Sequence, residues 1–161
     1  MTNTDSPEGG PSDSAPTITE ALHTTLDVPF EDAVPHVQLE HELAGFETVT
    51  VSRVDRMIEG VLGEEVPRTA LLVVCHAEIA KQAIEIDQTL AAMLPCVTGV
   101  YEDEAGTVHV HHLSTTKAIR DLGAAPGDPV AVEALVEMTG ELMTDVWENV
   151  ERYAPDGGND E

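Results

Sequence analysis

Five side chains have the types and spacing to do chemistry: Cys75, His76, Cys96, His109 and His111. Cys75 closes the apolar run ALLVVC, with His76 next, just before a helical stretch. A thiol in that place feels the positive end of a helix dipole, which favours thiolate and with it nucleophilic or redox chemistry. Glu78 in the first helical turn counters that field, and cysteine is among the most buried residue types, so a packed structural thiol is the simpler reading. His109 and His111 alternate along a strand-like segment, so their rings share one face while Val108, Val110 and His112 take the other. Two such imidazoles can begin a zinc, copper or iron site, completed by His23, His76, Cys75 or a surface carboxylate. No spacing fixes that further ligand, no cofactor is implied outright, and two exposed histidines on an edge strand are the plain alternative. His41 falls on a helix stripe, where a hydrogen-bonded, half-buried histidine is the expectation. Glycine-rich phosphate loops, CxxC pairs and serine-nucleophile motifs are missing from the sequence, which removes the support for nucleotide binding and the common hydrolase mechanisms.

The elements that must position these residues follow from periodicity. Ile18, Glu20, Leu22, Thr24, Leu26 and Val28 alternate in a Thr-rich stretch and predict a strand, with His23 pointing the other way. Asp32 is placed to cap a helix reaching Ala44, with Val34, Val37, His41 and Ala44 inward and Gly45 as its left-handed terminator. A short strand over 46–51 leads to a helix over 53–62, with Met57, Ile58, Val61 and Leu62 inward and Gly63 ending it. Residues 70–75 read as a central strand buried on both faces. The segment after it is amphipathic, and Asp87 caps a short second turn leading to Pro95. Segments 97–102 and 107–113 flank EDEAG as a hairpin turning on Gly106. Asp128 and Pro129 open a long last helix with Val132, Leu135, Val136, Leu142, Met143, Val146 and Val150 inward and Trp147 at their border. The order is β-α-β-α-β-α-β-β-α, an α+β fold of two layers with helices packed on a sheet. A disulfide between Cys75 and Cys96 is disfavoured unless the two strands run antiparallel or a second subunit intervenes, because the end of one strand and the start of the next lie at opposite edges of a parallel pair.

Composition sets the environment. Asp and Glu number 31 against 7 Lys and Arg, a formal charge of −24, yet 42% of residues are hydrophobic and fall in periodic blocks, which is the mark of a folded acidic protein. Such a charge repels itself in dilute buffer and is screened at molar salt, where the Debye length falls to about 3 Å. We therefore expect a cytoplasmic protein of a salt-accumulating halophile. Clustered Lys and Arg are absent from the sequence, which argues against nucleic acid and anionic membranes as partners. The first residues, MTNTDSPEGG, have neither the basic region nor the apolar core of a leader, and no apolar run approaches a bilayer span. Segments 1–16 and 154–161 are expected to be disordered, with one α+β domain over 17–153.

The run Val74, Cys75, His76, Ala77, Glu78, Ile79, Ala80, then Ala83, Asp87, the triplet Leu94, Pro95, Cys96, and Val100, Tyr101, Glu102 resembles the pattern of the domain of unknown function 302 family, as does the earlier Ala44, Gly45, Phe46. The likeness extends over about residues 18 to 152. It implies a two-layer α+β fold, a homodimer and no agreed activity. Where that pattern carries Cys-Asn-Pro, this chain has Cys75, His76 and Ala77, and Gln88 stands where proline is frequent, so a site built on those positions would be altered here. Three function classes follow, in order of preference. The first is a non-catalytic module that binds or senses a small molecule, with Cys75, His76 and Cys96 as candidate contacts. The second is a thiol- or metal-dependent enzyme using Cys75 or a His109 and His111 site, and the third a structural interaction domain.

Overall fold

The computed structural model describes residues 22–123 and 125–154. The segment 1–16 and all but the first residue of 154–161, expected to be disordered, lie outside the described residues, as does the start of the first expected strand. The elements are β1 (Leu22–Leu26), α1 (Phe30–Leu43), β2 (Phe46–Arg53), α2 (Val54–Leu62), β3 (Thr69–His76), α3 (Ala77–Ile86), β4 (Cys96–Glu102), β5 (Val108–His112), α4 (Thr115–Asp121) and α5 (Pro129–Val150), with 3-10 turns at Gln88–Met93 and Glu151–Tyr153. The fold is α+β in the expected order, with α4 added between the hairpin and the last helix.

The five strands form one antiparallel sheet in the order β1-β5-β4-β3-β2. Alternation gives it two different faces. Leu26, Ala70, Leu72, Val74, Cys96, Val100, Val108 and Val110 are buried and pack with Phe30, Ala33 and Val37 of α1, Ile79 and Ala83 of α3, and Leu135, Met143, Val146, Trp147 and Val150 of α5. Trp147 is thus a packing residue. The other face carries Leu71, Val73, Cys75, Val97, Tyr101, His109, His111 and His23, half-buried or exposed.

Local chemistry ends the elements as expected in most places. Gly45 and Gly63 terminate α1 and α2 with φ of +92° and +68°, Gly106 turns the β4–β5 hairpin at +84°, and Asp87 accepts the Thr89 N–H at 2.8 Å to cap the 3-10 turn. Asp128 accepts the Val130 N–H at 3.0 Å at the head of α5.

Four expectations are corrected. Helix α1 starts at Phe30 behind Pro29, without a side-chain cap, and Asp32 lies in its first turn. Proline fixes the entry angle there, so the cap is not needed to set the start. Helix α2 buries none of its residues: Met57, Val61 and Leu62 are 57%, 77% and 65% exposed. The helix lies against β3 and Ile58 is half-buried, but Met57, Val61 and Leu62 are left uncovered among the described residues. Strand β3 is buried on one face only, and the central position belongs to β4. Finally β3 and β4 are antiparallel, with Val74 opposite Cys96, so the two cysteines do lie at the same end of adjacent strands. They remain free thiols, and Cys75, one residue beyond Val74, takes the opposite face of the sheet.

Candidate functional site

In a core made almost wholly of aliphatic side chains, a few polar ones sit together on the helix-facing side of the sheet. Strand alternation puts Thr98 of β4 and His112 of β5 on that side, and they are register partners. Residues of α1 one helical turn apart, Val37 and His41, look down on them. His41, Thr98 and His112 are buried to within 1% of exposure. The Thr98 hydroxyl lies 3.1 Å from His41 Nε2 and 2.9 Å from His112 Nδ1, and His41 Nδ1 lies 2.7 Å from the Val37 carbonyl.

These contacts admit one arrangement of protons. Burial lowers the pKa of His41, with the Val37 carbonyl acting against it, and pushes His112 down to about 4, with His41 and His111 adding repulsion, so both rings are neutral at pH 7. The carbonyl of Val37 can only accept, hence His41 Nδ1 carries the proton and Nε2 is a lone pair. Thr98 therefore donates its O–H to His41 and accepts the Nδ1–H of His112. The proton of neutral His112 is thereby held on Nδ1, and its Nε2 is left as a bare acceptor. That atom is buried and has no hydrogen-bond partner.

His112 forms part of the wall of a cavity of about 380 Å³ with Leu22, Ser114, Lys117, Thr139 and Met143. The two nitrogens of an imidazole point to opposite sides of the ring. With Nδ1 turned to Thr98 on β4, Nε2 is directed away from β4, on the side of β1, where Leu22 pairs with His112. Ser114 is held as the cap of α4, accepting the Lys117 N–H at 3.3 Å, and Thr139 donates to the Leu135 carbonyl at 2.8 Å. Gly140 also lines the cavity, and a Cβ added there meets nothing within 4 Å.

The residues singled out from the sequence are distributed differently. Cys96 is buried two residues before Thr98 on the same face. Burial raises its thiol pKa, a hydrogen bond from Thr115 opposes this, and the neighbouring Cys75 adds to the rise. Cys75 sits on the other face opposite Glu47. His76 packs its ring edge-on against Phe46, whose ring meets His41 in turn, and its Nδ1 is a second buried nitrogen without a partner. None of these three residues lines the cavity at His112. His109 and His111 share the open face as expected, but β5 lies between β1 and β4 and is not an edge. There His109 Nε2 donates to Asp103 at 2.8 Å, His23 Nε2 lies 3.0 Å from His109 Nδ1, and Tyr101 stacks on the His109 ring. Burial lowers the pKa of His23, with repulsion from His109 and His111 adding to it. Among the described residues no three His, Cys, Asp or Glu side chains converge to hold a metal ion.

Sequence reasoning placed His112 on the face opposite His109 and His111 and His41 on a buried stripe, without joining them. The signal for His112 is its phase with Val108 and Val110 along a strand, and that for His41 is its place on the apolar stripe of a helix. Thr98, Ser114 and Lys117 carry no such signal, because only the β4–β5 register and α4 bring them to the site.

A family model described as domain of unknown function DUF302 matches residues 22–146. No curated protein matches the chain. Among solved structures, the crystal structure of an uncharacterized conserved DUF302 protein from Bacillus stearothermophilus is similar in fold, with a TM-score of 0.70 at 14% identity, over 81% of this chain and 97% of that one. The chain belongs to the DUF302 family.

Proposed function

We propose that this protein binds a small organic molecule, without transforming it, in the cavity walled by His112, Leu22, Lys117 and Met143. The observation that carries this reading is the unpartnered Nε2 of His112. A buried acceptor left without a partner costs about 1–3 kcal/mol, and a bound ligand would remove that cost. The size and the mixed apolar and polar wall suit a small-molecule site. A thiol enzyme is less well supported, since the more buried thiol, Cys96, is held protonated and neither cysteine faces the cavity. A fragment screen by thermal shift, run on the wild type and on Gly140→Phe, tests the reading. Binders should raise the Tm of the wild type, by up to about 2.7 kcal/mol of stabilisation at a hundredfold excess over Kd, and not that of the filled variant. Equal shifts in both proteins, or none in the wild type, would count against it.

A second reading concerns assembly. We propose that the bare stripe of α2 meets the same stripe of a second copy. A two-fold contact of identical apolar patches requires no charged group to find a counter-charge, whereas elsewhere two chains of formal charge −24 repel. The same acidity supports residence in the cytoplasm of a salt-accumulating cell.

A further inference from the structure

The proton arrangement at the site says what kind of ligand it takes. Three fixed hydrogen bonds run in one direction, from Thr98 to His41, from His112 to Thr98, and from His41 to the Val37 carbonyl. Reversing any one of them leaves two lone pairs or two protons facing each other in a dry core, which costs more than the bond gains. Among the described residues two buried side-chain nitrogens lack a partner, His76 Nδ1 and His112 Nε2, and of these two residues His112 is the one that lines this cavity. A ligand carboxylate, carbonyl or ether oxygen placed at its Nε2 would meet a lone pair.

We infer that the ligand is a small hydroxylated or N–H-bearing organic acid. Its neutral donor would point at His112 Nε2, its apolar body lie against Leu22 and Met143, and its anionic group come near Lys117. This rests on the cavity being the binding site. It adds the polarity of the contact. Lys117 has three ammonium donors and so can hold an anion beside any other partner. Thr98 acts here as a positioning residue: it touches no ligand but holds the His112 proton on Nδ1. Selectivity of this kind is strong, because a site that must satisfy a buried polar group rejects an analogue lacking the matching group.

Two measurements on the full chain test the inference. Long-range 1H–15N correlation on histidine-labelled protein reads which nitrogen of His112 is protonated. The expected spectrum has a pyridine-like Nε2 in the wild type and in Thr98→Ser, with that state lost in Thr98→Val. In parallel, ortho-, meta- and para-hydroxybenzoate are titrated beside their methyl ethers. At least one hydroxybenzoate should bind about tenfold tighter than its ether, equivalent to ~1.4 kcal/mol. A proton on Nε2 in the wild type, ethers that bind as tightly as the phenols, or a pyridine-like Nε2 with no binding by any of the six probes would each overturn the inference. Failure of the cavity itself registers separately, as fragment binding that Gly140→Phe leaves unchanged.

Discussion

At the scale of single residues, the stability of this protein is tied to histidines that must stay neutral. His112 has an unfolded pKa of 6.5 and a folded value of about 4, so the unfolded chain binds more protons between those values. Its contribution is complete above pH 6.5, falls as pH drops through this window and is gone below about pH 4. At ~1.4 kcal/mol per decade the whole loss is about 3 kcal/mol. Urea unfolding from pH 7 to 4.5 should show this decline in the wild type and a shallower one in His112→Leu; parallel slopes would contradict the assignment. Thr98→Val keeps the shape of the side chain but strands two ring nitrogens, and should cost about 2–3 kcal/mol, with Thr98→Ser much milder. Gly45 is constrained twice over, by a φ of +92° and by His76 Nε2 at 3.0 Å from where a Cβ would sit. The sequence puts His41 on a helix stripe and His112 on the strand face of Val108 and Val110, and nothing more, because their shared partner Thr98 is 57 residues from the first and 14 from the second. Pairing across such distances is decided by strand register and helix placement, which no local pattern records.

At the scale of elements, boundaries were legible where a residue has one physical use. Glycines at positive φ after α1 and α2, Asp87 before its turn, and Asp128 with Pro129 before α5 all act as their types dictate. An amphipathic pattern does not by itself say where its partner lies. Helix α2 has the sharpest apolar stripe and buries none of it. Its start is nonetheless pinned: Arg53 reaches Asp55 at 2.7 Å and Glu31 at 3.1 Å and lies over the Phe30 ring, and the arginine holds the Asp55 carboxyl down at about 2. If α2 is a contact between copies, Val61→Asp with Leu62→Asp should convert a dimer to a monomer in light scattering; a monomeric wild type would refute the contact. Helix-interior Gly60 has open space around its missing Cβ, so Gly60→Ala should raise stability by up to about 1 kcal/mol in chemical melts. The β3–β4 pair departs from the parallel expectation for a different reason. A helix between two strands usually signals a parallel crossover, but here the 3-10 turn at Gln88–Met93 brings the chain back to the end it left, so β4 returns antiparallel.

At the scale of the whole molecule, charge and fold are separate matters. The core cluster is aliphatic and ordinary, and nothing about it requires salt. The formal charge of −24 does, if the acidic side chains repel as composition suggests, and stability should then rise between ~0.1 and ~2 M KCl as the Debye length shrinks. A melting temperature flat across that range would contradict this. The fold class was readable from periodicity because a one-sided sheet and its covering helices leave periods of 2 and 3.6 in the chain. The cavity was not, since its wall draws on β1, β5, α4 and α5. The most direct test of the account is a chemical-shift map of a bound fragment on the labelled wild-type protein in molar KCl. The account predicts perturbations centred on His112, Leu22, Ser114, Lys117, Thr139 and Met143; shifts centred instead on the open face, around His23, His109 and His111, would contradict it.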